Sequence, residues 1–293
     1  MKKGDVDVEN HSMSNQKCGF VTIVGYPNSG KSTLMNALVG QKVSIVTHKV
    51  QTTRRQIQGI LTEGDHQIIF IDTPGIFDPK KHLEKAIVDN AYRSFHGVDI
   101  VMLVMDVRKY DETFIEKIKK AAKQTLFCLV LNKIDLVEPA VYETLPGLKI
   151  SAKTGEGLKQ LKQYIVDHLP EHPFMYDTDQ VTNLNQKIWV AEMTREKAML
   201  LLQQELPYEL YVETEDYQET PQKVDIHQTI VVSRDTLKGM VLGAGGQMIK
   251  KIGMESRQEL EHHLGKKVNL FLFVKVRQDW QSKVMTLKNL GIL

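Results

Sequence analysis

The segment Gly25–Ser32 places the strongest constraint on how this chain can fold, because it fits the pattern G-x-x-x-x-G-K-[ST]. The apolar run Phe20–Val24 before it is typical of a buried strand, and Thr33–Val39 after it is typical of a helix. A turn between such elements presents backbone N–H groups and a helix N-terminus to a phosphate. The pattern predicts that Lys31 bridges the β- and γ-phosphates of a nucleotide and that the Ser32 hydroxyl binds Mg²⁺. The candidate phosphate-binding residues are Gly25, Asn28, Ser29, Gly30, Lys31, Ser32 and Thr33.

The region from residue 18 to residue 170 alternates apolar, strand-like runs with helix-like stretches. This alternation predicts an α/β domain whose mostly parallel sheet is covered by helices on both faces. In such sheets, binding residues gather at the carboxyl ends of the strands, so motifs that directly follow the strands are expected to form one site. The predicted strands are Val21–Val24, Ile68–Ile71, Ile100–Met105, Leu126–Leu131 and Leu148–Ile150.

Two short motifs follow the second and the fifth predicted strands. Asp72-Thr73-Pro74-Gly75 offers a carboxylate near Mg²⁺ and a glycine, Gly75, that can sense a γ-phosphate. Ser151-Ala152-Lys153 follows the fifth strand and would place the Ala152 N–H against guanine O6. Each motif alone is only a turn signal, and its position directly after a strand gives it weight.

A third motif, Asn132-Lys133-Ile134-Asp135, follows the fourth predicted strand and indicates which base is bound. The Asp135 carboxylate can accept hydrogen bonds from N1–H and from the 2-amino group of guanine. Adenine lacks this pair of donors. The stem of Lys133 can pack along the purine, and the Asn132 amide can hold the turn together. The motif therefore predicts a guanine nucleotide.

In this order, the four motifs resemble the GTPase superfamily, which implies a P-loop GTPase domain that binds GTP and GDP. Where Ras-like enzymes carry a water-orienting glutamine after D-x-x-G, this chain has Ile76, so we expect slow intrinsic hydrolysis. The resemblance also implies roles for individual residues. The implied catalytic residues are Lys31, Thr53 and Gly75, and the implied Mg²⁺ ligands are Ser32, Thr53 and Asp72.

Two assignments within this resemblance leave alternatives open. The segment Gln51–Arg55 matches the first switch of GTPases related to Era and implies Thr53 as the ligand of Mg²⁺ and the γ-phosphate. Thr52 is the alternative, and either hydroxyl could instead be satisfied within a loop. Asn28 matches an asparagine that helps to bind a potassium ion in related GTPases, and an Asx-type bond that shapes the loop is the other explanation.

Residues 188–293 are predicted to form a second, α+β domain, after a polar linker over residues 171–187. Its turn Gly243-Ala244-Gly245-Gly246 precedes a basic helix that carries Lys250 and Lys251. With the predicted order α-β-β-α-α-β, this resembles the KH fold and implies a type II KH domain whose turn contacts the backbone of single-stranded RNA. Between residues 234 and 288, eleven basic residues stand against five acidic ones, although solvated helix faces would also explain this charge.

Together, the two domains resemble the Era family of bacterial ribosome-assembly GTPases from about Cys18 to Leu293. The resemblance implies a GTP-hydrolysing switch that binds small-subunit ribosomal RNA near its 3′ end and acts in maturation of the small ribosomal subunit. Some members also associate loosely with the membrane. The further matching segments are Gly40-Gln41-Lys42, Arg195-Glu196-Lys197, Glu205-Leu206-Pro207-Tyr208 and Leu290-Gly291.

The chain departs from that family at two places. Only Leu136–Ile150 separates the guanine-binding motif from Ser151, where the family usually has a longer helix, so we expect this flank to be irregular. Within the glycine-rich turn, Ala244 and Gly245 replace a basic residue that is common there. The backbone amides and the two lysines that follow would therefore make more of the phosphate contacts.

Composition adds expectations about location. A formal net charge of +2 gives no global attraction to nucleic acid or membranes. Residues 1–17 lack an apolar core typical of a signal peptide and are expected to be disordered, while Cys18 and Cys128 lie in strand-like segments and are expected to be reduced and buried. We expect a cytoplasmic monomer, with peripheral contact to the cytoplasmic face of the inner membrane left open.

The leading hypothesis is a switch whose nucleotide state controls binding to RNA and to the small ribosomal subunit. The alternative is an RNA-binding assembly chaperone in which nucleotide binding is structural and turnover incidental, and Ile76 keeps this alternative open. A GTPase acting in tRNA modification is disfavoured, because the partner domains of that family lack a KH-like turn.

Overall fold

The computed structural model describes residues 16–49, 52–79, 82–203 and 206–292. Most of the predicted disordered extension, residues 1–15, lies outside this part of the chain, as do Gln51 and Glu205. Lys17, which was predicted to belong to the extension, is instead the first residue of a strand, because its N–H donates to Asp65 O at 2.9 Å.

The first domain is built on a sheet of six strands in the order β2-β3-β1-β4-β5-β6. β2 and β3 pair antiparallel and all other neighbours pair parallel, which confirms the mostly parallel sheet. β2 was not predicted, because Gln58, Gly59 and Thr62 dilute its apolar pattern. The strands are β1 (Lys17–Val24), β2 (Ile57–Glu63), β3 (His66–Asp72), β4 (Ile100–Asp106), β5 (Leu126–Asn132) and β6 (Leu148–Lys149).

Helices cover both faces of this sheet, as the alternating pattern predicts. On one face, α1 and α4 pack apolar side chains such as Leu34 and Leu161 against Ile23 and Met102. On the other face, α2 and α3 pack against residues such as Leu103. The helices are α1 (Lys31–Val39), α2 (His82–Arg93), α3 (Glu112–Ala122) and α4 (Leu158–Asp167).

The segment predicted as a linker lies along the first domain. The Gln67 side chain accepts from the Met175 and Tyr176 N–H groups at 2.9 and 3.0 Å, and Ile60 N donates to Val181 O at 2.9 Å. These bonds satisfy backbone groups that a free linker would leave to water. The next helix begins at Gln186, before the predicted boundary at 188, because Asn185 caps its N-terminus.

The second domain has the predicted order of one helix, two strands, two helices and a strand. β7 pairs antiparallel with β8, and β8 pairs parallel with β9, which is the sheet of a type II KH fold. The first, second and third helices pack against this sheet around Ile230, Val241 and Ile252. The elements are α5 (Gln186–Leu201), β7 (Leu210–Glu219), β8 (Lys223–Val232), α6 (Asp235–Leu242), α7 (Gln247–Leu264), β9 (Lys267–Val276) and α8 (Val284–Asn289).

Two apolar clusters join the domains. Ile45, which follows α1, packs against Val190 and Met193 of α5. Ile87 of α2 packs against Trp280, a fully buried side chain that follows β9. Both contacts involve segments that flank the phosphate-binding loop and the D-x-x-G motif, so the second domain lies directly against the predicted nucleotide site.

Candidate functional site

The phosphate-binding loop runs from the end of β1 into α1, as predicted. Gly30 has φ 96°, and a Cβ there would lie 2.3 Å from Asn132 Nδ2, so only glycine fits. The Lys31 ammonium donates to the carbonyl oxygens of Gly25 and Tyr26 at 3.2 and 2.9 Å. Burial lowers the pKa of Lys31 to about 8, an effect that the Asp72 carboxylate partly opposes. This cation therefore lies buried at the centre of the loop.

The three predicted Mg²⁺ ligands lie together. Ser32 Oγ donates to Asp72 Oδ2 at 2.6 Å, and Thr53 Oγ1 lies 3.1 Å from Ser32 Oγ and 3.4 Å from Asp72 Oδ2. Ser44 Oγ, which the sequence did not single out, donates to the same carboxylate oxygen at 2.8 Å. The Thr52 hydroxyl is engaged elsewhere, because it bonds to Thr47 Oγ1 and Lys49 O. Thr53, rather than Thr52, is therefore the threonine at this cluster.

The chemistry of this cluster suits Mg²⁺. Hydroxyl and carboxylate oxygens are hard donors of the kind that Mg²⁺ prefers. Asp72 Oδ1 is buried and has no hydrogen-bond partner among the described residues. Burial raises the pKa of the Asp72 carboxyl, although hydrogen bonds from Ser32, Ser44 and Thr53 oppose this shift. A cation beside the unpartnered oxygen would compensate for the buried charge.

The residues predicted to bind the base lie at the ends of β5 and β6. Asn132 Nδ2 donates to Ser29 O at 2.9 Å, and Asn132 Oδ1 accepts from the Ala152 N–H at 3.0 Å. Ser151 Oγ donates to Asp135 Oδ1 at 2.6 Å. These bonds tie the phosphate loop and both base motifs into one network. The Ala152 N–H, predicted to face guanine O6, is directed here at Asn132.

Two lysines of the predicted base site differ from each other in their surroundings. Lys133 Nζ lies 3.0 Å from Asp106 Oδ2 and 2.5 Å from Asn28 O, so its stem spans from the base motif to the phosphate loop. Burial alone would raise the pKa of Asp106, but hydrogen bonds from Arg108 and Lys133 lower it to about 2. Lys153 is exposed and borders a cavity of about 910 Å³ between the domains.

The loop residues Asn28 and Ile76 have contacts that the sequence did not reveal. Asn28 has φ 63°, and its amide donates to His48 O at 2.8 Å rather than within its own loop. Ile76 is 2% exposed and belongs to the core cluster on the α2 and α3 face. Its N–H donates to Gly25 O at 3.0 Å, which fixes the D-x-x-G motif against the phosphate loop.

The flank between Leu136 and Ile150 is irregular, as expected from its length. It contains only short 3₁₀ turns and the strand β6 among its residues. Arg54, which belongs to the first-switch segment, is buried. The residue is 5% exposed, and its guanidinium donates to the carbonyl oxygens of Leu210 and Tyr208 at 2.7 and 2.9 Å. The docking of the second domain buries it.

The glycine-rich turn of the second domain joins α6 to α7. Gly243 has φ 72°, and a Cβ there would lie 2.7 Å from Met248 Cβ. Ala244 and Gly245 are exposed, and Gly246 is the N-cap of α7. Lys250 and Lys251 are exposed on the first turns of that helix. The turn and both lysines are thus exposed close to the N-terminus of α7.

A groove beside this turn was missed by the sequence reasoning. It has a volume of about 450 Å³ between α7 and β9, and its lining is mostly apolar with two basic side chains, Lys250 and Arg257. The signal that could have found it is Gly253, an isolated glycine in the middle of a helical pattern. Its lining residues are Ile249, Lys250, Gly253, Met254, Arg257, Leu270 and Leu272.

Part of the excess positive charge of residues 234–288 is neutralised by ion pairs in the folded domain. Lys266 pairs with Glu219, Lys275 with Glu215, and Arg277 with Glu213, all across to β7. These three cations therefore lie in ion pairs on the sheet. On α7, by contrast, Lys250, Lys251 and Arg257 are exposed, and in the described part of the chain they take part in no ion pair.

Other expectations concern metals, membranes and thiols. Both cysteines are free and buried, as predicted. Within residues 16–49, 52–79, 82–203 and 206–292, no three His, Cys, Asp or Glu side chains are grouped as metal ligands. In the same part of the chain, every helix is too short or too polar to span a bilayer.

Comparisons with known proteins match both domains. Residues 20–133 match the family described as a 50S ribosome-binding GTPase, and residues 205–281 match the KH domain family. GTPase Era of Mesorhizobium japonicum is 42% identical over 311 aligned residues, which cover 100% of this chain and 99% of that protein. GTPase Era of Rickettsia bellii is 45% identical over 280 residues, which cover 91% of this chain and 95% of that protein.

Two solved structures match the whole fold. A variant of Aquifex aeolicus Era bound to GDP·AlF4⁻ superposes with a TM-score of 0.88 at 36% identity, covering 94% of this chain and 99% of that chain. Era in complex with MgGDPNP and nucleotides 1506–1542 of 16S ribosomal RNA superposes with a TM-score of 0.86 at 35% identity, with the same coverage of both chains. Both domains and their relative placement are therefore shared with these proteins.

Proposed function

This chain belongs to the Era family of GTPases, being 42% identical to one member across 100% of its length, and we propose that it hydrolyses GTP to GDP and phosphate. The observation that carries this is the convergence of Ser32, Thr53 and Asp72 at the mouth of the phosphate loop. Lys31 would hold the β- and γ-phosphates, and the backbone N–H groups from Gly30 to Thr33 would surround the β-phosphate.

Mg²⁺ would neutralise charge on the phosphates during their transfer. Ser32 and Thr53 would contact it with their hydroxyl oxygens, and Asp72 would hold it with its buried carboxylate. Support for this cation comes from the unpartnered Asp72 Oδ1 and from the relative that binds MgGDPNP. Thr53 and the Gly75 N–H would then respond to whether a γ-phosphate is present.

Guanine recognition would follow from the network at β5 and β6. Ser151 fixes one oxygen of Asp135 at 2.6 Å, so the carboxylate is oriented for the two donors on guanine. For the Ala152 N–H to reach guanine O6, it would exchange its bond to Asn132 Oδ1 for one to the base. Asn132, Lys133 and Lys153 complete the base site.

Intrinsic hydrolysis would be slow, because Ile76 is buried in the core and has no side-chain group to orient water. A potassium ion beside Asn28 would supply the positive charge that an arginine finger supplies in other GTPases. The Asn28 amide would have to turn from His48 O for this role. Equal GTP turnover in potassium and sodium salts would contradict a role for the potassium ion, and faster turnover in potassium would support it.

The second domain would bind small-subunit ribosomal RNA near its 3′ end. The exposed turn Gly243–Gly246, the cations Lys250 and Lys251 and the neighbouring groove together provide backbone, charge and apolar contacts for a single strand. The family that matches the first domain is described as a 50S ribosome-binding GTPase, but that match covers only residues 20–133. The relative that carries 16S ribosomal RNA shares both domains, so we favour the small subunit.

The test of this function is GTP turnover by the full chain with and without small ribosomal subunits. A switch in subunit maturation should be stimulated by the subunit by at least about tenfold, since an activating partner completes a site that lacks its own water-orienting group. Turnover that is unchanged by the subunit, with RNA binding intact, would favour the assembly chaperone. We place the chain in the cytoplasm as a monomer, and peripheral membrane contact stays a prediction.

A further inference from the structure

The second domain holds the first-switch segment, here residues 46–49 and 52–55, through the helix α5 and the residue that follows it. Glu196 Oε1 accepts from the Val46 N–H at 3.2 Å, near the start of the segment. Arg195 Nη2 donates to Thr52 O at 2.6 Å, near its end. Between them, the Lys49 ammonium donates to Leu202 O. The segment is therefore fixed from the side of the KH domain.

Arg195 makes its contact from a buried and oriented position. The residue is 2% exposed, and its guanidinium forms a two-pronged ion pair with Glu192 at 3.0 and 2.6 Å on the same helix. Although burial alone would raise the pKa of Glu192, the neighbouring Arg195 lowers it. A buried ion pair contributes little net stability compared with apolar side chains of similar size. This pair does, however, present one N–H at a fixed place against Thr52.

The peptide group that Arg195 binds leads directly into Thr53. Fixing the Thr52 carbonyl restrains the backbone of Thr53, whose hydroxyl lies 3.1 Å from Ser32 Oγ. On the other side of Thr53, the Arg54 guanidinium is inserted into the second domain and lies 5.8 Å from the centre of the Trp280 ring. Thr53 is thus held from both sides by the second domain, while its hydroxyl faces the first.

We infer that Arg195 is a positioning residue of the nucleotide site, supplied by the KH domain: it holds Thr53 where the hydroxyl can meet Mg²⁺ and the γ-phosphate. The inference rests on the proposed function. Because GDP has no γ-phosphate, Arg195 acts on the triphosphate complex and not on the GDP complex. If the Arg195 contact raises the affinity for a triphosphate by a certain factor, thermodynamic linkage requires that the bound triphosphate stabilise the contact between α5 and the first-switch segment by that factor.

The test compares the affinities of the full chain for GDPNP and GDP in Mg²⁺. The variant Arg195→Met with Glu192→Gln removes the contact to Thr52 without leaving either charge of the pair buried alone. GDPNP affinity should fall by about tenfold or more, while GDP affinity changes by less than about twofold, since coupling energies of this kind are commonly 5- to 150-fold. Hydrogen exchange of residues 46–55 in the GDPNP complex should rise towards the rate in the GDP complex.

Two further variants separate positioning from simple stability. Lys197→Ala is the matched control, because Lys197 lies on the same helix but pairs with Glu259. It should leave the ratio of the two affinities unchanged. Arg195→Lys keeps a charge beside Glu192 and a donor within reach of Thr52, so it should recover part of the discrimination even if the double variant folds poorly.

Some outcomes would overturn the inference. If both nucleotides lost affinity equally, Arg195 would be structural only, and if neither changed, the contact would have no role at the site. A wild-type chain that bound no guanine nucleotide would instead reject the proposed function itself, so the two failures are distinguishable.

Discussion

The Ser32 hydroxyl donates a 2.6 Å hydrogen bond to the Asp72 carboxylate, although 40 positions separate the two residues along the chain. The bond exists because β1 and β3 are parallel neighbours, so the loop after one strand lies beside the end of the other. Both residues face the first-switch threonine, Thr53. The arrangement brings oxygen donors from three separate segments to one point at the phosphate loop.

Two serine hydroxyls in this cluster bond to the same oxygen of Asp72, and we expect them to have different roles. Ser32 and Ser44 both donate to Asp72 Oδ2, at 2.6 and 2.8 Å, but only Ser32 belongs to the phosphate loop. We expect Ser32→Ala to lower Mg²⁺-dependent GTP affinity by about tenfold or more, because it removes a direct cation ligand. Ser44→Ala should lower it by a smaller factor, because the Ser44 hydroxyl bonds to the Asp72 carboxylate but is not a predicted ligand of the cation. Titration of labelled GTP at several Mg²⁺ concentrations measures both, and equal effects would contradict the assignment of Ser32.

Much of this site could be predicted from the sequence, because its motifs are local and each follows an apolar strand. β9 has the bounds that its alternating pattern indicates, and Ser32, Thr53 and Asp72 lie together. What could not be predicted depends on how distant elements pack. The burial of Arg54, the contact of Arg195 with Thr52 and the groove beside Gly253 arise only when the domains and the KH elements are assembled.

Base choice should depend on Asp135. Its carboxylate can accept from two donors of guanine, so Asp135→Asn is expected to lower GTP affinity by about a hundredfold or more, as sites with unmatched polar groups do. The new amide can donate to the 2-carbonyl of xanthine, so affinity for xanthosine triphosphate should rise. Competition binding with both nucleotides measures the exchange. Glu138→Gln, an exposed change nearby, is the control, and an Asp135→Asn variant that kept its GTP affinity would remove the assigned role.

The two thiols should be unreactive while the chain is folded. Burial raises the pKa of Cys18 and raises that of Cys128 to about 12. Because the pKa is raised, the thiolate fraction falls, and at pH 8 a pKa of about 12 leaves only about one Cys128 in ten thousand ionised. A thiol-reactive dye should label both residues slowly in buffer and quickly in concentrated urea. Fast labelling of the native chain would mean that the strands carrying the cysteines open readily.

The salt dependence of RNA binding should reveal which cations meet phosphate. Lys250 and Lys251 are exposed on α7, whereas Lys266 and Lys275 are paired with Glu219 and Glu215. We expect Lys250→Ala with Lys251→Ala to reduce the log–log slope of affinity against salt by about 0.7 for each phosphate of a single strand that the variant no longer neutralises. Lys266→Ala with Lys275→Ala is the matched control and should leave the slope nearly unchanged. The opposite ranking would move the RNA path from the helix to the sheet.

RNA affinity should fall less when the glycine-rich turn receives uncharged side chains than when it receives negatively charged ones. Ala244 and Gly245 are exposed, and Gly245 has φ 56°, a conformation that Asp and Asn adopt more readily than other side chains. Replacing both with Asp places two negative charges beside the N-terminus of α7, where the RNA backbone is expected to approach. Replacing both with Asn imposes the same backbone strain without charge.

Affinity for an oligonucleotide of the ribosomal RNA 3′ end should fall by about a hundredfold in the Asp variant and much less in the Asn variant, since repulsion opposes phosphate contact. GTP affinity should stay normal in both. If the two variants bound RNA as tightly as the native chain, the turn would be only a connection between helices, and the RNA site would lie elsewhere on the second domain.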